Sequence, residues 1–261
     1  MKILLSTIGG LMLIACGLNT SARASVWVDM RVFGPFVCRA NFPLAKYEGV
    51  FRHLADIQQD LTDRLGVPPA RERIEILLFK NKATYSQYLK QWFPNIPFRR
   101  ALYVKNKGPG MVFAYLSSDL ETDIRHECTH ALLHASLPMV PLWLDEGLAE
   151  YYEVPPNQRA GQNPHHGAVI WRLRFAQVPR LARLEAKREI SEMGRTEYRD
   201  AWAWAHFLLN GPAPVRYELM SFLAEIRGGS APRLLSQRLE QAAGGSGEQL
   251  LVRHFKSFSR K

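Results

Sequence analysis

One short run constrains this chain more than anything else in it: His126-Glu127-Cys128-Thr129-His130, with Glu146 sixteen residues beyond the second histidine. Helix positions four apart stand one above the other on the same face. His126 and His130 can therefore turn two imidazoles toward a single ion. Glu127 lies about 100° round the helix, where its carboxylate can reach a water on that ion without binding it. Two neutral nitrogens, one further ligand and an open position describe a catalytic zinc rather than a closed structural one.

The run is predicted to be helical. Ser118-Asp119-Leu120-Glu121 reads as a capping box ahead of an apolar-periodic stretch. Leu120, Ile124, Cys128, Ala131, Leu132 and Ala135 recur at spacings of three and four, which buries one stripe. Asp119, Glu121 and Asp123 stand at the start, where the helix dipole favours negative charge. Pro138 follows the expected end.

The third ligand is less directly specified. His134 continues the histidine face, but His126 and His134 are separated by about 12 Å along a helix axis. Three imidazoles on one straight helix cannot all reach one ion at about 2 Å, so His134 is read as packing or supporting a ligand. Residues 141–153 predict a second helix with Pro141 at its start. Leu144, Leu148 and Tyr151 or Tyr152 form its apolar side, while Glu146 and Glu150 share another face. One acid can bind the ion while the next hydrogen-bonds a ligand histidine and fixes its tautomer. Periodicity alone does not choose between Asp145 and Glu146. His165 and His166 lie close by in sequence, in a stretch read as an exposed loop.

The pattern His126-Glu127-x-x-His130 followed by Trp143-Leu144-x-Glu146-Gly147-x-Ala149 resembles the gluzincin metallopeptidases, the group that includes thermolysin and the aminopeptidase N type. Within that group it looks most like the small bacterial peptidase MA-like proteins. The resemblance is clear over residues 118–153 and extends loosely, as element order, over residues 35–225. It implies one zinc ion held by His126, His130 and Glu146, with Glu127 as general base. It implies that Glu150, one turn after the ligand glutamate, orients the first histidine. A peptide or protein is the implied substrate. No G-x-M-E-N signature of aminopeptidases occurs in the chain. The resemblance also places a tyrosine near the start of a later helix, which makes Tyr198 the candidate donor to an oxyanion and His206 the runner-up.

Residues 1–24 read as a signal peptide: Lys2, an uncharged apolar run over residues 3–18, and Ala22-Arg23-Ala24 before Ser25. Leu13-Ile14-Ala15-Cys16 also fits a bacterial lipobox, which would make Cys16 a lipidated terminus. Either processing route exports the protein to the periplasm, the cell surface or the medium. Without Cys16, Cys38 and Cys128 remain; they could bridge in an oxidising compartment, but Cys128 on a buried stripe reads better as a packed thiol.

Net charge is +10, and the leader holds two cations and no acids, which leaves about +8 in the exported form. Basic residues thicken at Arg172, Arg174, Arg180, Arg183, Lys187, Arg188, Arg195 and Arg199. That bias suits an anionic envelope surface or acidic substrates; no nucleic-acid motif is present.

Elsewhere the pattern predicts strands within residues 26–40, a helix over 43–65 stopped at Gly66, and a central strand over 74–79. A helix over 82–93 and strands over 101–104 and 111–116 follow. The resemblance to gluzincins implies that the last strand, just before the active-site helix, is the cleft edge on which an extended substrate pairs. After a loop over residues 155–167 only helical patterns remain, the first over residues 168–190. The expected architecture is α+β. A zincin-like lobe with a mixed sheet and the active-site helix occupies residues 25–155, and an all-helical lobe occupies residues 156–261.

Overall fold

The computed structural model describes residues 27–106, 108–243 and 245–258. The predicted signal peptide and Cys16 lie outside them.

Two strands open the fold, β1 (Asp29–Phe33) and β2 (Phe36–Ala40). They form an antiparallel hairpin whose turn uses Gly34 at φ +52°, a conformation glycine adopts without steric cost. Helix α1 (Glu48–Leu65) follows and ends where predicted. Gly66 takes φ +65° and its backbone N–H caps the carbonyls of Leu61 and Thr62. Strand β3 (Ile74–Phe79) then runs parallel to β2. Five of its six residues are buried, as a strand covered on both faces requires. Helix α2 (Lys82–Trp92) precedes β4 (Ala101–Val104) and β5 (Gly110–Tyr115).

The sheet order is β1-β2-β3-β5-β4. Strand β5 is parallel to β3 and antiparallel to β4. It is therefore an interior strand, and the expectation that it forms the cleft edge is corrected: on that side the sheet ends with β4. The cause is the antiparallel pairing of β4 with β5, which sets β4 on the outer side of β5.

One face of the sheet carries α2 over a small core of Leu77, Phe79, Tyr85, Leu89, Leu102 and Phe113. The other face carries α1 and α3 (Leu120–Ser136). Beyond α3 the described chain is helical: α4 (Leu142–Tyr152), α5 (Pro164–Arg174), α6 (Leu181–Glu185), α7 (Arg195–Asn210), α8 (Ala213–Arg227), α9 (Leu235–Ala243) and α10 (Gly247–Phe258). The class is α+β with a mixed sheet and a helical C-terminal part, as expected. One continuous core runs from the sheet through α3 and α4 to Trp202, Phe207 and Phe255.

Two local expectations are corrected. Helix α3 begins at Leu120 with Asp119 as its N-cap, and no side-chain cap bond forms; the Asp119 carboxylate is instead taken by Arg100. The single helix expected over residues 168–190 is broken into α5 and α6. Ala176 lies at φ +56°, and Val178 precedes Pro179, which disfavours helical backbone there.

Gly147 fixes how α4 meets α7. A Cβ there would lie 2.5 Å from the Ala201 carbonyl oxygen and 3.3 Å from the Ala205 Cβ. The obstacle is backbone, which cannot rotate away. Gly147→Ala is expected to lower stability by about 1–3 kcal/mol, the usual cost of overpacking, and urea unfolding at neutral pH measures it. A midpoint unchanged from wild type would show that the two helices are not seated this closely.

Candidate metal centre

Helix α3 turns His126 and His130 to the same side, with ring centroids 4.9 Å apart and planes at 76°. Helix α4 presents Glu146 between them. Its Oε2 lies 3.6 Å from His126 Nε2 and 3.7 Å from His130 Nε2. Donors on a tetrahedral zinc at about 2.0–2.1 Å stand roughly 3.3 Å apart, so this spacing is close to what one ion requires. The three ligand atoms all lie within 4.8 Å of one another. Glu146 and His130 are buried and His126 keeps an opening to solvent.

Each histidine points its other nitrogen at a carboxylate. His130 Nδ1 donates to Asp145 Oδ1 at 2.9 Å, and His126 Nδ1 donates to Glu153 Oε2 at 3.0 Å. These bonds place the proton on Nδ1 and leave the Nε2 lone pairs facing Glu146. Asp145 also accepts from His134 Nε2 at 2.7 Å, and the Tyr103 ring stacks parallel on His134 at 5.9 Å. His134 thus supports a ligand rather than acting as one. Arg125, buried in the helix pair, donates to the Glu153 backbone carbonyl and ties the end of α4 to α3.

The electrostatics match a cation site. Burial disfavours charge on His126, but Glu146 and Glu153 outweigh it and hold its pKa well above the ordinary value. Burial likewise opposes charge on His130, where Asp145 and Glu146 prevail and raise it. Burial would raise Asp145 and Glu146, yet the facing imidazoles hold both below the usual carboxylate range. With both imidazoles neutral, as ligation requires, more anionic oxygen is gathered here than the site balances, and a divalent ion would supply that balance. Glu127 adds a second sign: its Oε2 is buried without a hydrogen-bond partner among the described residues. A carboxylate oxygen in that state calls for a water or a reacting proton.

The sequence expectations divide here. His126, His130 and Glu146 are brought together, with Glu127 beside them. Glu150 does not orient His126; its Oε2 pairs with His165 Nε2 at 2.7 Å, and Glu153 takes the predicted role. From Glu146, positions 150 and 153 are one and two turns on, so spacing on one helix face cannot separate them. Asp145, which periodicity left open as an alternative to Glu146, orients His130 instead, a contact that depends on how α4 is rotated against α3. Tyr198, on the first turns of α7, is half-buried. Burial and the nearby carboxylates of Glu146, Glu150 and Glu127 raise its pKa against the opposing pull of Arg99, so the phenol keeps its proton. His206 faces away from the site, bonded to the Ala160 carbonyl and to His254. Cys38 and Cys128 are both free and buried, so no bridge joins β2 to α3. Burial pushes the Cys38 thiol up to about 12.

No protein-family model matches the chain, and no curated protein matches it. Solved structures do. The M1 zinc metallopeptidase of Deinococcus radiodurans, in a point-mutant form, aligns at 22% identity with a TM-score of 0.50, over 84% of this chain and 48% of that one. The chain has the fold of an M1 peptidase domain. The unmutated Deinococcus enzyme aligns at 21% identity with a TM-score of 0.48, over 85% of this chain and 47% of that one. This chain therefore spans about half the length of the structures it matches.

Proposed function

We propose that this protein is an exported zinc metallopeptidase that hydrolyses peptide bonds by Glu-assisted activation of water. The observation that carries the reading is the convergence of His126, His130 and Glu146 on one point, beside a Glu127 carboxylate oxygen with no hydrogen-bond partner among the described residues. Support comes also from the fold shared with an M1 zinc metallopeptidase.

His126, His130 and Glu146 would hold one zinc ion, which when bound supplies Lewis acidity and lowers the pKa of its water toward about 7. Asp145 and Glu153 keep the two imidazoles in the ligating tautomer and orientation. Glu127 takes the proton from the attacking water and passes it to the leaving amine. Tyr198, kept protonated by its surroundings, donates to the oxyanion that develops on the scissile carbonyl. The free edge of β4, adjacent to α3, offers backbone groups to an extended substrate.

Export rests on the predicted leader, residues 1–24, or on lipidation at Cys16. In this reading residues 25–155 and 156–261 form the two sides of the cleft, and the basic surface favours an anionic envelope.

Digestion of casein and of a mixed peptide library, with and without a zinc chelator, tests the proposal. Cleavage that the chelator abolishes and added zinc restores is the expected result. Zinc binding with no cleavage would point instead to a non-catalytic envelope adaptor. Release of muropeptides with no cleavage of casein would point to a cell-wall peptide amidase.

A further inference from the structure

Helix α3 and its metal ligands lie against β4 and β5, and the opposite end of the sheet is strand β1. Among the described strands β1 pairs with β2 alone. Side chains alternate across a strand, so Met30 and Val32 share one face and Asp29, Arg31 and Phe33 the other. The second face is tied down on the α1 side. Phe33 stacks on Phe51 at 4.5 Å, and the Asp29 carboxylate accepts from the Leu44 backbone N–H. The first face is open at these residues. Helix α2 packs on β3 and β5, while Met30 and Val32 are 59% and 65% exposed. Val28, one residue ahead of β1, is 67% exposed. Opposite Met30 on β2, Arg39 is already paired with Glu75.

An apolar edge strand is a template for another strand. The residues here specify which one, because Val28-Asp29-Met30-Arg31-Val32 run antiparallel to itself is its own complement. Directly opposed residues of an antiparallel pair lie on the same face. A two-fold axis relating two copies must therefore pass through a residue of the strand, not between residues. An axis at Met30 sets Met30 against Met30, Val28 against Val32 and Asp29 against Arg31. Within each copy Asp29 and Arg31 already pair at 3.3 Å. Across the junction they would meet their opposites again, in a neutral ring of four charges. An axis one residue away sets Arg31 against Arg31, or Asp29 against Asp29, and like charges directly opposed are destabilising. Charge and apolar match thus select the same register.

We propose that β1 pairs with β1 of a second copy of this chain about a two-fold axis at Met30, joining the two five-stranded sheets into one. Val28, Met30 and Val32 of both copies then form one apolar cluster over the junction, on the face opposite α1. The pairing uses only the edge opposite β4, so both metal centres and both β4 edges stay accessible. It stands whether or not the protein is a peptidase. Two short strands cover less than the roughly 800 Å² per partner of a standard interface, so the dimer is weak. Half-association is expected at roughly 10 µM.

Sedimentation equilibrium of the purified, zinc-loaded protein between about 1 and 200 µM reads the association. A mass rising from one chain toward two is the expected result. Met30→Lys and Met30→Glu each put like charges on the axis, and each alone should weaken association by about tenfold or more. Mixed in equal amounts, the two variants should associate again, since lysine then faces glutamate, and this recovery should fade as NaCl is raised. Met30 is exposed, and a normal thermal melt confirms that each variant folds. A mass of one chain at the highest concentration would overturn the proposal. So would a dimer that neither variant weakens, which would put the contact on another face, or a loss in both variants with no recovery on mixing, which would take Met30 off the axis. Binding of the wild type to phosphatidylglycerol vesicles, lost in Met30→Glu and with no dimer in solution, would also overturn it and make the patch a membrane contact.

Discussion

Glu127→Gln is expected to retain its zinc and to lose peptide hydrolysis by roughly 10²–10⁴-fold, the contribution general bases make. Glutamine keeps the size of the side chain and its place on α3, so the ligand geometry of His126 and His130 is undisturbed. What it lacks is the capacity to take a proton from water. The Glu127 Oε2 has no hydrogen bond among the described residues to lose, so stability should change little. Initial rates on a casein or library substrate, measured beside elemental analysis of the same preparation, separate the two effects. Full zinc-dependent activity in the variant would show that another group moves the proton.

Between pH 6.5 and about 4.5 the zinc-free protein is expected to lose several kcal/mol of stability through two buried histidines, partly offset by Asp200, whose burial raises its carboxyl to about 6. His206 and His254 cause this, far from the metal centre. His206 Nε2–H donates to the Ala160 carbonyl at 2.9 Å, which leaves Nδ1 to accept from His254 Nε2 at 2.9 Å. Both rings are neutral in that arrangement and buried among Trp202, Phe207 and Phe255. Burial depresses His206 to about 3, with His254, His166 and Arg64 acting in the same direction against the Ala160 bond. Burial and His166 depress His254 to about 4. In the unfolded chain both titrate near 6.5. Below that pH the unfolded state takes up protons that the folded state refuses. The contribution of this pair is therefore fully present above pH 6.5 and falls as pH drops toward 4. His126 and His130 act in the opposite sense, because their folded pKa values are raised. Their contribution changes above pH 6.5 and is constant below it. Urea unfolding of chelator-treated protein across this range is the measurement, and His254→Gln should flatten the slope by about half. A wild-type slope no steeper than that of His254→Gln would contradict the buried neutral pair.

The fold was legible in proportion to how local its signals are. The strand at residues 74–79 and the stop at Gly66 follow from short-range chemistry, an apolar run and a left-handed cap, and appear where expected. The break at Ala176 was not legible, because helical periodicity continues through it and only Pro179 marks the interruption. At the site, His126, Glu127 and His130 are fixed by one helix, and their common face follows from its pitch. Glu146 required the resemblance, since periodicity left Asp145 equally placed. Glu153 and Asp145 as orienting acids required the packing of α4 on α3, which brings them onto His126 and His130. The role assigned to His206 failed for a similar reason. Its helix carries Tyr198 toward the site and His206, two turns on, into the core beside α10.

Zinc content of the purified wild type and of Glu146→Ala tests the central claim most directly. The prediction is one zinc per chain in the wild type and loss of most of it in the variant, with the variant still folded by circular dichroism. A variant that holds zinc at the wild-type stoichiometry and affinity would contradict it, because the metal would then be bound somewhere other than between α3 and α4.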